Sequence, residues 1–183
     1  MKLHNDNLIF SPSDLILFLE SPFASWMEHF SLISPEALDF KDQDDAMMLM
    51  LQDKGAEHES SVLEGLKRQG LTIEDIGLSS DKKAATIQAM KEGADVVFQA
   101  CLSQEQFTGF ADFLVRVPGS SQLGDYHYEI WDTKLSKSLQ PYYTIQLCCY
   151  QEMIAAIQGR YSDDFVIILG DQTQQRLRTQ EFY

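Results

Sequence analysis

The chain has 183 residues, of which 44% are hydrophobic and 23% are charged, so its composition fits one globular domain with a substantial core. No apolar run approaches the roughly 20 residues of a membrane span, and the N-terminus lacks the apolar region of a secretory signal. The formal charge of −14 argues against a freestanding nucleic-acid-binding module, because such modules hold phosphates through Lys and Arg. An acidic site that holds its ligand through a bound cation is compatible with this charge.

The cysteine content predicts a reducing environment. Cys101, Cys148 and Cys149 give an odd count, and two of them are adjacent, which is not the pattern of a disulfide framework. We therefore predict a cytoplasmic location, with these thiols serving as packing residues. We expect residues 1–183 to form a single domain, either excised or as the N-terminal part of a longer protein.

The first half of the chain predicts helices. Residues 11–14, Ser-Pro-Ser-Asp, are typical of a helix start because they combine hydroxyl caps with an early proline. Residues 34–36 predict the start of a second, short helix. The longest predicted helix covers residues 43–69 and ends at Gly70. A short strand is predicted over residues 71–76, followed by a helix that is capped by Ser80-Asp81 and ends near Gly93.

The second half of the chain changes to an alternating pattern, which predicts strands. Three consecutive antiparallel strands are predicted over residues 96–102, 106–117 and 126–135. A helix over residues 142–158 and an apolar strand over residues 164–170 follow, and the polar residues 172–181 suggest another strand. This order predicts a mixed α/β domain whose apolar final strand returns to the sheet by a crossover.

Asp132 and Lys134 are the first candidate functional residues. Alternate residues of a strand share a face, so the carboxylate and the ammonium point the same way. A carboxylate can hold a divalent cation, and a neighbouring lysine can orient water or neutralise charge on a phosphate. An ordinary ion pair at the end of a strand is the alternative, because Asp-x-Lys is a common tripeptide.

Asp112 is the second carboxylate of the candidate site. A hairpin turn centred near Gln122 places Asp112 opposite Asp132 on the neighbouring strand. Like charges that oppose each other across two strands are destabilising, and a bound divalent cation removes this cost. The alternative is that Asp112 is a solvated strand residue.

His58 and the pair Gln146 and Tyr150 lie on predicted helices. His58 falls on the apolar stripe of the longest helix, together with Leu51 and Val62, so it is either a core histidine or a metal ligand. With the two aspartates it would suit Mg²⁺ or Mn²⁺. Gln146 and Tyr150 are four residues apart and share a helix face that either supports the site or packs on the sheet.

These motifs together resemble a known family. The segments Gly109-Phe110-Ala111-Asp112, Glu129-Ile130-Trp131-Asp132-Thr133-Lys134 and Gln146-Leu147-Cys148-Cys149-Tyr150 are similar to the RecB-type branch of the PD-(D/E)xK nucleases, in particular to RecB-like nuclease domains fused to helicases. The resemblance extends from Ser11 to Leu169. It implies a restriction-endonuclease-like core, a mixed β-sheet flanked by α-helices.

The resemblance also implies roles for individual residues. Metal ligands would be His58, Asp112, Asp132 and the main-chain carbonyl of Thr133; Lys134 would be the catalytic lysine; Gln146 and Tyr150 would support the site and contact substrate. The implied reaction is Mg²⁺- or Mn²⁺-dependent hydrolysis of DNA phosphodiesters in DNA repair or recombination, on single-stranded DNA in preference to duplex. The implied partner is a helicase domain or subunit, and no membrane is involved.

The chain departs from this family in two respects. Several relatives hold an iron–sulfur cluster through four cysteines, whereas this chain has three, and Ser21 stands where relatives often have a cysteine. We therefore expect no iron–sulfur cluster. The acidic charge leaves two other hypotheses open: a catalytically silent nuclease-like module that binds a helicase or another protein, and a hydrolase of small phosphate esters.

Overall fold

A mixed six-stranded β-sheet lies at the centre of the molecule. The computed structural model describes residues 1–5, 7–34, 36–37 and 46–183. The strands are β1 (Lys2–His4), β2 (Asn7–Ile9), β3 (Ile73–Asp75), β4 (Val96–Gln104), β5 (Phe107–Ser121), β6 (Gly124–Thr133), β7 (Asp164–Ile168) and β8 (Gln174–Arg178). The helices are α1 (Pro12–Glu20), α2 (Pro22–Ile33), α3 (Ala46–Arg68), α4 (Lys82–Glu92) and α5 (Pro141–Gln158). The predicted α/β class is confirmed.

The strands of the large sheet follow one another in chain order, from β3 to β8. The antiparallel series β4–β5–β6 confirms the three predicted strands. Helix α5 connects β6 to its parallel neighbour β7, which confirms the predicted crossover. The polar residues after β7 form β8, which pairs antiparallel with it. Strands β1 and β2 form a separate two-stranded sheet.

Helices cover both faces of the sheet, and each face has its own apolar cluster. The larger cluster, on the side of α4 and α5, includes Met90, Leu102, Leu114, Ile130, Leu147 and Ile154. The smaller cluster, on the side of α3, includes Val62, Leu66, Val96, Phe113, Val166 and Ile168. The side chains of β6 alternate between these faces, as expected for a strand with both faces covered.

Sequence signals located α1 and α4 well. The predicted helix start is present at α1, where Ser11 and Asp14 form a capping box by accepting hydrogen bonds from each other's backbone amides. The predicted cap at Asp81 also begins α4, and Gly93 ends it in the left-handed conformation. The start of α1 and both ends of α4 therefore lie within a residue or two of the predicted positions, because these termini carry residues with specific cap geometry.

The region between α1 and α3 differs from expectation. Helix α2 was not predicted, although Ser21-Pro22 repeats the Ser-Pro signal of α1 and Ser21 caps its first turn. Helix α3 buries only its second half: Leu51, on the predicted stripe, is 41% exposed, whereas His58 is buried. Pro35 and residues 43–45, on which two predicted helix starts fall, lie outside the described residues. No helix in the described ranges is long and apolar enough to cross a membrane.

Candidate active site

The β5–β6 hairpin has the register predicted from its turn. Phe113 pairs with Trp131 and Pro118 pairs with Tyr126, and the irregularity in the ladder lies between Pro118 and the turn. Extending this register by one residue from Phe113 and Trp131 brings Asp112 opposite Asp132. The pairing ends here, so the two carboxylates lie where β5 and β6 separate.

Along β4 and β5, side chains point alternately to the two faces of the sheet, and this alternation is interrupted once in each strand, at Gln99 and at Asp112. In β4, Val97 and Ala100 both belong to the α5-side cluster, while Phe98 packs on the α3 side. Gln99, between Phe98 and Ala100, has a positive φ of 54°, which is uncommon for a residue other than glycine. Strand β5 makes the same switch at Asp112, opposite Gln99. Backbone of this kind persists where the surrounding structure holds it, and it is concentrated at functional sites.

Asp112 is held by Thr133 of the neighbouring strand. Its Oδ2 accepts hydrogen bonds from the backbone N–H and from the hydroxyl of Thr133, both at 2.7 Å. A carboxylate oxygen that accepts two hydrogen bonds fixes the orientation of the group, and within the part of the chain that the structure describes Oδ1 of Asp112 accepts none.

Asp132 begins a chain of polar contacts on the α5 side. Its Oδ2 lies 2.6 Å from Nζ of Lys134, and this Nζ donates to Oε1 of Gln146 at 3.0 Å. Nε2 of Gln146 donates to the Tyr150 hydroxyl at 3.1 Å, which donates to the carbonyl oxygen of Phe110 at 2.7 Å. The four predicted residues Asp132, Lys134, Gln146 and Tyr150 are therefore in one network that returns to β5.

The pKa values of Asp132 and Lys134 are shifted by burial and by the charges around them. Burial, and then the charge of Asp112, raises the pKa of Asp132 well above its usual range. Burial alone would lower the pKa of Lys134, but its ion pair with Asp132 outweighs this and raises the pKa. The ammonium also lies 5.4 Å from the ring centroid of Tyr143, a residue that sequence analysis did not select.

Glu59 is a third carboxylate near the site, and sequence analysis missed it. Its Oε1 accepts a hydrogen bond from Nε2 of Gln99, the residue opposite Asp112. Burial, and then the charge of Asp112, raises the pKa of Glu59 to about 7 despite the Gln99 hydrogen bond, and Asp132 adds to the shift. The only available sequence signal was its place next to His58.

His58 is buried at the α3 side of the same strand ends. Its Nε2 lies 3.2 Å from the carbonyl oxygen of Ile168, and its Nδ1 lies 3.1 Å from the Gln172 amide nitrogen. The tautomer with its proton on Nε2 satisfies both contacts. The Ile168 carbonyl also accepts the backbone N–H of Lys134 at 2.9 Å, so His58 contacts the backbone next to the site. Its role as a metal ligand stays a prediction.

The site contains acidic side chains of the kind that bind divalent cations, but within the described residues no three Asp, Glu, His or Cys side chains are grouped closely enough to hold a metal ion. Besides burial, the charge of Asp112 raises the pKa of both Glu59 and Asp132, and the Lys134 ammonium contacts Asp132. Carboxylate oxygens are ligands that both Mg²⁺ and Mn²⁺ accept. A divalent cation offsets the repulsion that one ammonium leaves uncompensated.

A cleft of about 450 Å³ on the side of α1 reaches Gln146 and Tyr150 at the end of the network. Its lining includes Pro12 and Asp14 of α1, Gly109 of β5, and Gln146 and Tyr150 of α5. Tyr150 and Pro12 both pack closely against the backbone of Gly109. A Cβ atom at this position would lie 2.8 Å from the Tyr150 ring and 3.0 Å from Pro12, so a glycine is needed here. The cleft gives solvent a route to the Gln146 and Tyr150 side of the network.

The three cysteines are free and partly buried outside this network. A scan against protein families and a search of curated proteins found no match to this chain.

Proposed function

We propose that this chain is a metal-dependent DNA nuclease of the RecB-type PD-(D/E)xK branch, with a restriction-endonuclease-like core. The observation that carries the proposal is the meeting of Asp112, Asp132 and Lys134 where β5 and β6 separate, with Lys134 fixed between Asp132 and Gln146. The order helix, three antiparallel strands, helix and parallel strand supports the same assignment.

We assign the metal to the carboxylates of Asp112 and Asp132, with Glu59 as a further oxygen ligand. Thr133 binds Oδ2 of Asp112, so Oδ1 is the oxygen we assign to the metal. The carbonyl of Thr133 and the ring of His58 are the other ligands that the family resemblance suggests. A bound Mg²⁺ or Mn²⁺ supplies charge stabilisation at the phosphate and an activated water.

The protein's own residues position the substrate and balance charge. The Lys134 ammonium is next to the carboxylates, where it can donate to a phosphate oxygen as negative charge grows there. Gln146 holds the ammonium, and Tyr150 holds Gln146, so these two act as positioning residues. The reaction breaks one P–O bond of a DNA phosphodiester by in-line attack of water and leaves a phosphate monoester and a free hydroxyl.

The charge of the chain shapes its proposed biological role. At −14, the surface supplies little general attraction for DNA, so the substrate is held through the metal and through a partner. We propose single-stranded DNA as the preferred substrate and a helicase domain or subunit as the partner, acting in DNA repair or recombination.

The test is cleavage of labelled single-stranded and double-stranded DNA by the purified chain, with Mg²⁺, with Mn²⁺ and with EDTA. We expect metal-dependent cleavage that is faster on the single strand. Intact DNA with both metals would rule out the nuclease function.

A second candidate function is a catalytically silent module that binds a protein partner. Large apolar residues are exposed along α1, α2 and the first half of α3, which favours an interaction surface there; they are Phe18, Leu19, Phe23, Trp26, Ile33, Met47, Leu49 and Met50. Metal binding distinguishes the two candidates. Calorimetry that detects no Mn²⁺ binding dependent on Asp112 and Asp132 would favour the silent module.

A further inference from the structure

Phe110 is an exposed aromatic residue beside the carboxylate pair. It is 43% exposed, whereas its neighbours on β5, Gly109 and Ala111, are buried. Those neighbours face α5, since a Cβ on Gly109 would touch that helix and Ala111 belongs to the α5-side cluster. Side chains alternate along a strand, so the Phe110 ring points away from α5.

Lys82, at the start of α4, lies against this ring. Its Nζ is 5.3 Å from the Phe110 ring centroid. Arg116, Arg176 and Lys134 each form an ion pair with a carboxylate, but in the described ranges the Lys82 ammonium forms none. The chain has 28 acidic residues, yet the Lys82 ammonium has no carboxylate partner in the described ranges. The Phe110 ring and the Lys82 ammonium are therefore both available to a ligand.

We infer that Phe110 and Lys82 form a nucleotide subsite, in which a base stacks on the ring and the ammonium binds a phosphate of the same strand. This inference rests on the proposed nuclease function and adds substrate-binding residues to it. Phe110 is two residues from Asp112, or about 7 Å along an extended strand. A nucleotide bound there is next to the phosphate at the carboxylates.

The chemistry of the subsite selects unpaired nucleotides. In a duplex both faces of each base are covered by its neighbours, whereas an unpaired base offers a free face to an aromatic ring. Stacking of this kind tolerates any base, and one lysine contributes a single phosphate contact to the salt dependence. The ligand is therefore single-stranded nucleic acid with little sequence preference.

The test is equilibrium binding of a fluorescein-labelled oligothymidine of about 12 nucleotides, a length within single-site footprints. Anisotropy is measured with Mg²⁺ in a Lys134→Met parent, which keeps the carboxylates assigned to the metal and leaves the strand intact. Phe110→Leu is expected to weaken binding about tenfold, and Phe110→Trp to preserve it. Phe23→Leu, the same change at an exposed phenylalanine of α2, is the matched control and should leave the affinity unchanged.

Salt dependence tests Lys82 separately. Lys82→Gln should weaken binding and reduce the slope of log affinity against log salt by about 0.7, the value for one phosphate contact on a single strand. Lys82→Arg should keep the slope. Lys91→Gln, at the other end of α4, is the control and should not change it.

The outcomes separate this subsite from the nuclease function. Equal affinities of Phe110→Leu and the parent, no binding by the parent, or tighter binding of the corresponding duplex would overturn the subsite. Cleavage of DNA by the wild-type chain would still support the nuclease in these cases. Conversely, binding that depends on Phe110 without any cleavage would overturn the nuclease and leave a single-strand-binding site.

Discussion

The Asp112 carboxylate and Thr133 are joined by two hydrogen bonds across the point where β5 and β6 separate, from the Thr133 backbone amide and from its hydroxyl, both at 2.7 Å. Thr133 stands between Asp132 and Lys134, so these bonds tie one carboxylate to the strand that carries the other. The spacing of the two aspartates therefore depends on Thr133 as well as on the sheet.

Removing the Thr133 hydroxyl should loosen Asp112. Thr133→Val keeps the shape but removes one donor to a charged group, which we expect to cost about 1.5 kcal/mol of folding stability and to weaken Mn²⁺ binding. Thr133→Ser keeps the donor and should preserve both. Urea unfolding and calorimetry measure the two effects, and wild-type Mn²⁺ affinity in Thr133→Val would show that Asp112 does not depend on this contact.

Glu59 and His58, adjacent on α3, can be compared directly as metal ligands. We expect Glu59→Gln to lower Mn²⁺ affinity by at least about tenfold, as loss of a metal-site residue typically does. His58→Gln should lower it less, because the imidazole bonds Ile168 and Gln172, and should instead reduce stability by about 1 kcal/mol. A larger loss of Mn²⁺ affinity in His58→Gln than in Glu59→Gln would identify the imidazole as the ligand.

The raised pKa of Glu59 predicts how pH affects the metal-free protein. Its pKa is about 7 in the folded chain against an ordinary value of 4.5, so between these values the folded state holds a proton that the unfolded state releases. The contribution of Glu59 to stability is therefore greatest below about pH 4.5 and is lost as the pH rises to about 7. Urea unfolding across this range should show the decline, and Glu59→Gln should make it shallower. An unchanged slope in Glu59→Gln would contradict the assignment.

Mn²⁺ affinity should depend on pH in the opposite direction to the stability of the metal-free protein. The cation requires deprotonated carboxylates, so Mn²⁺ affinity should rise with pH over the same range and binding should release protons. Calorimetry in two buffers of different ionisation enthalpy measures the protons released. Proton release that is equal in the wild type and in Glu59→Gln would exclude Glu59 from the linkage.

Tyr143 should position the Lys134 ammonium through its ring. Tyr143→Leu removes a cation–π contact of about 0.5–2 kcal/mol, so we expect kcat to fall by about 2- to 30-fold with little change in KM. Tyr143→Phe keeps the ring and should restore kcat. Loss of activity in both variants, or a change in KM alone, would point to a role other than placing the ammonium.

Local patterns predicted the strands, the hairpin register and the shared face of Asp132 and Lys134, because each depends on alternation or turn position along a few residues; the ion pair between the two side chains was the alternative interpretation. Glu59 could not be found in this way. Its approach to the aspartates depends on where α3 crosses the sheet, which is set by tertiary packing. The positive φ of Gln99, which accompanies the switch of side chains at the site, also has no sequence signal, since nothing in the residue type requires it.

In the first half of α3, the sequence pattern predicted burial that the structure does not have. Its apolar spacing predicted a buried stripe from Leu51 onward, yet burial begins near His58. Helical periodicity shows which residues share a face but not how far a neighbouring surface extends along the helix. The buried length of α3 therefore depends on what packs against it, which the spacing of its own residues does not specify.

The most direct test of the nuclease site is the initial rate of single-stranded DNA cleavage in Mn²⁺ by the wild type, Asp132→Asn, Lys134→Met and Asp125→Asn. Asp125 is an exposed aspartate on the same strand and serves as the matched control. We predict that the wild type and Asp125→Asn cut at similar rates and that Asp132→Asn and Lys134→Met lose at least about a hundredfold. Equal cleavage by all four proteins, or none by the wild type, would contradict the account.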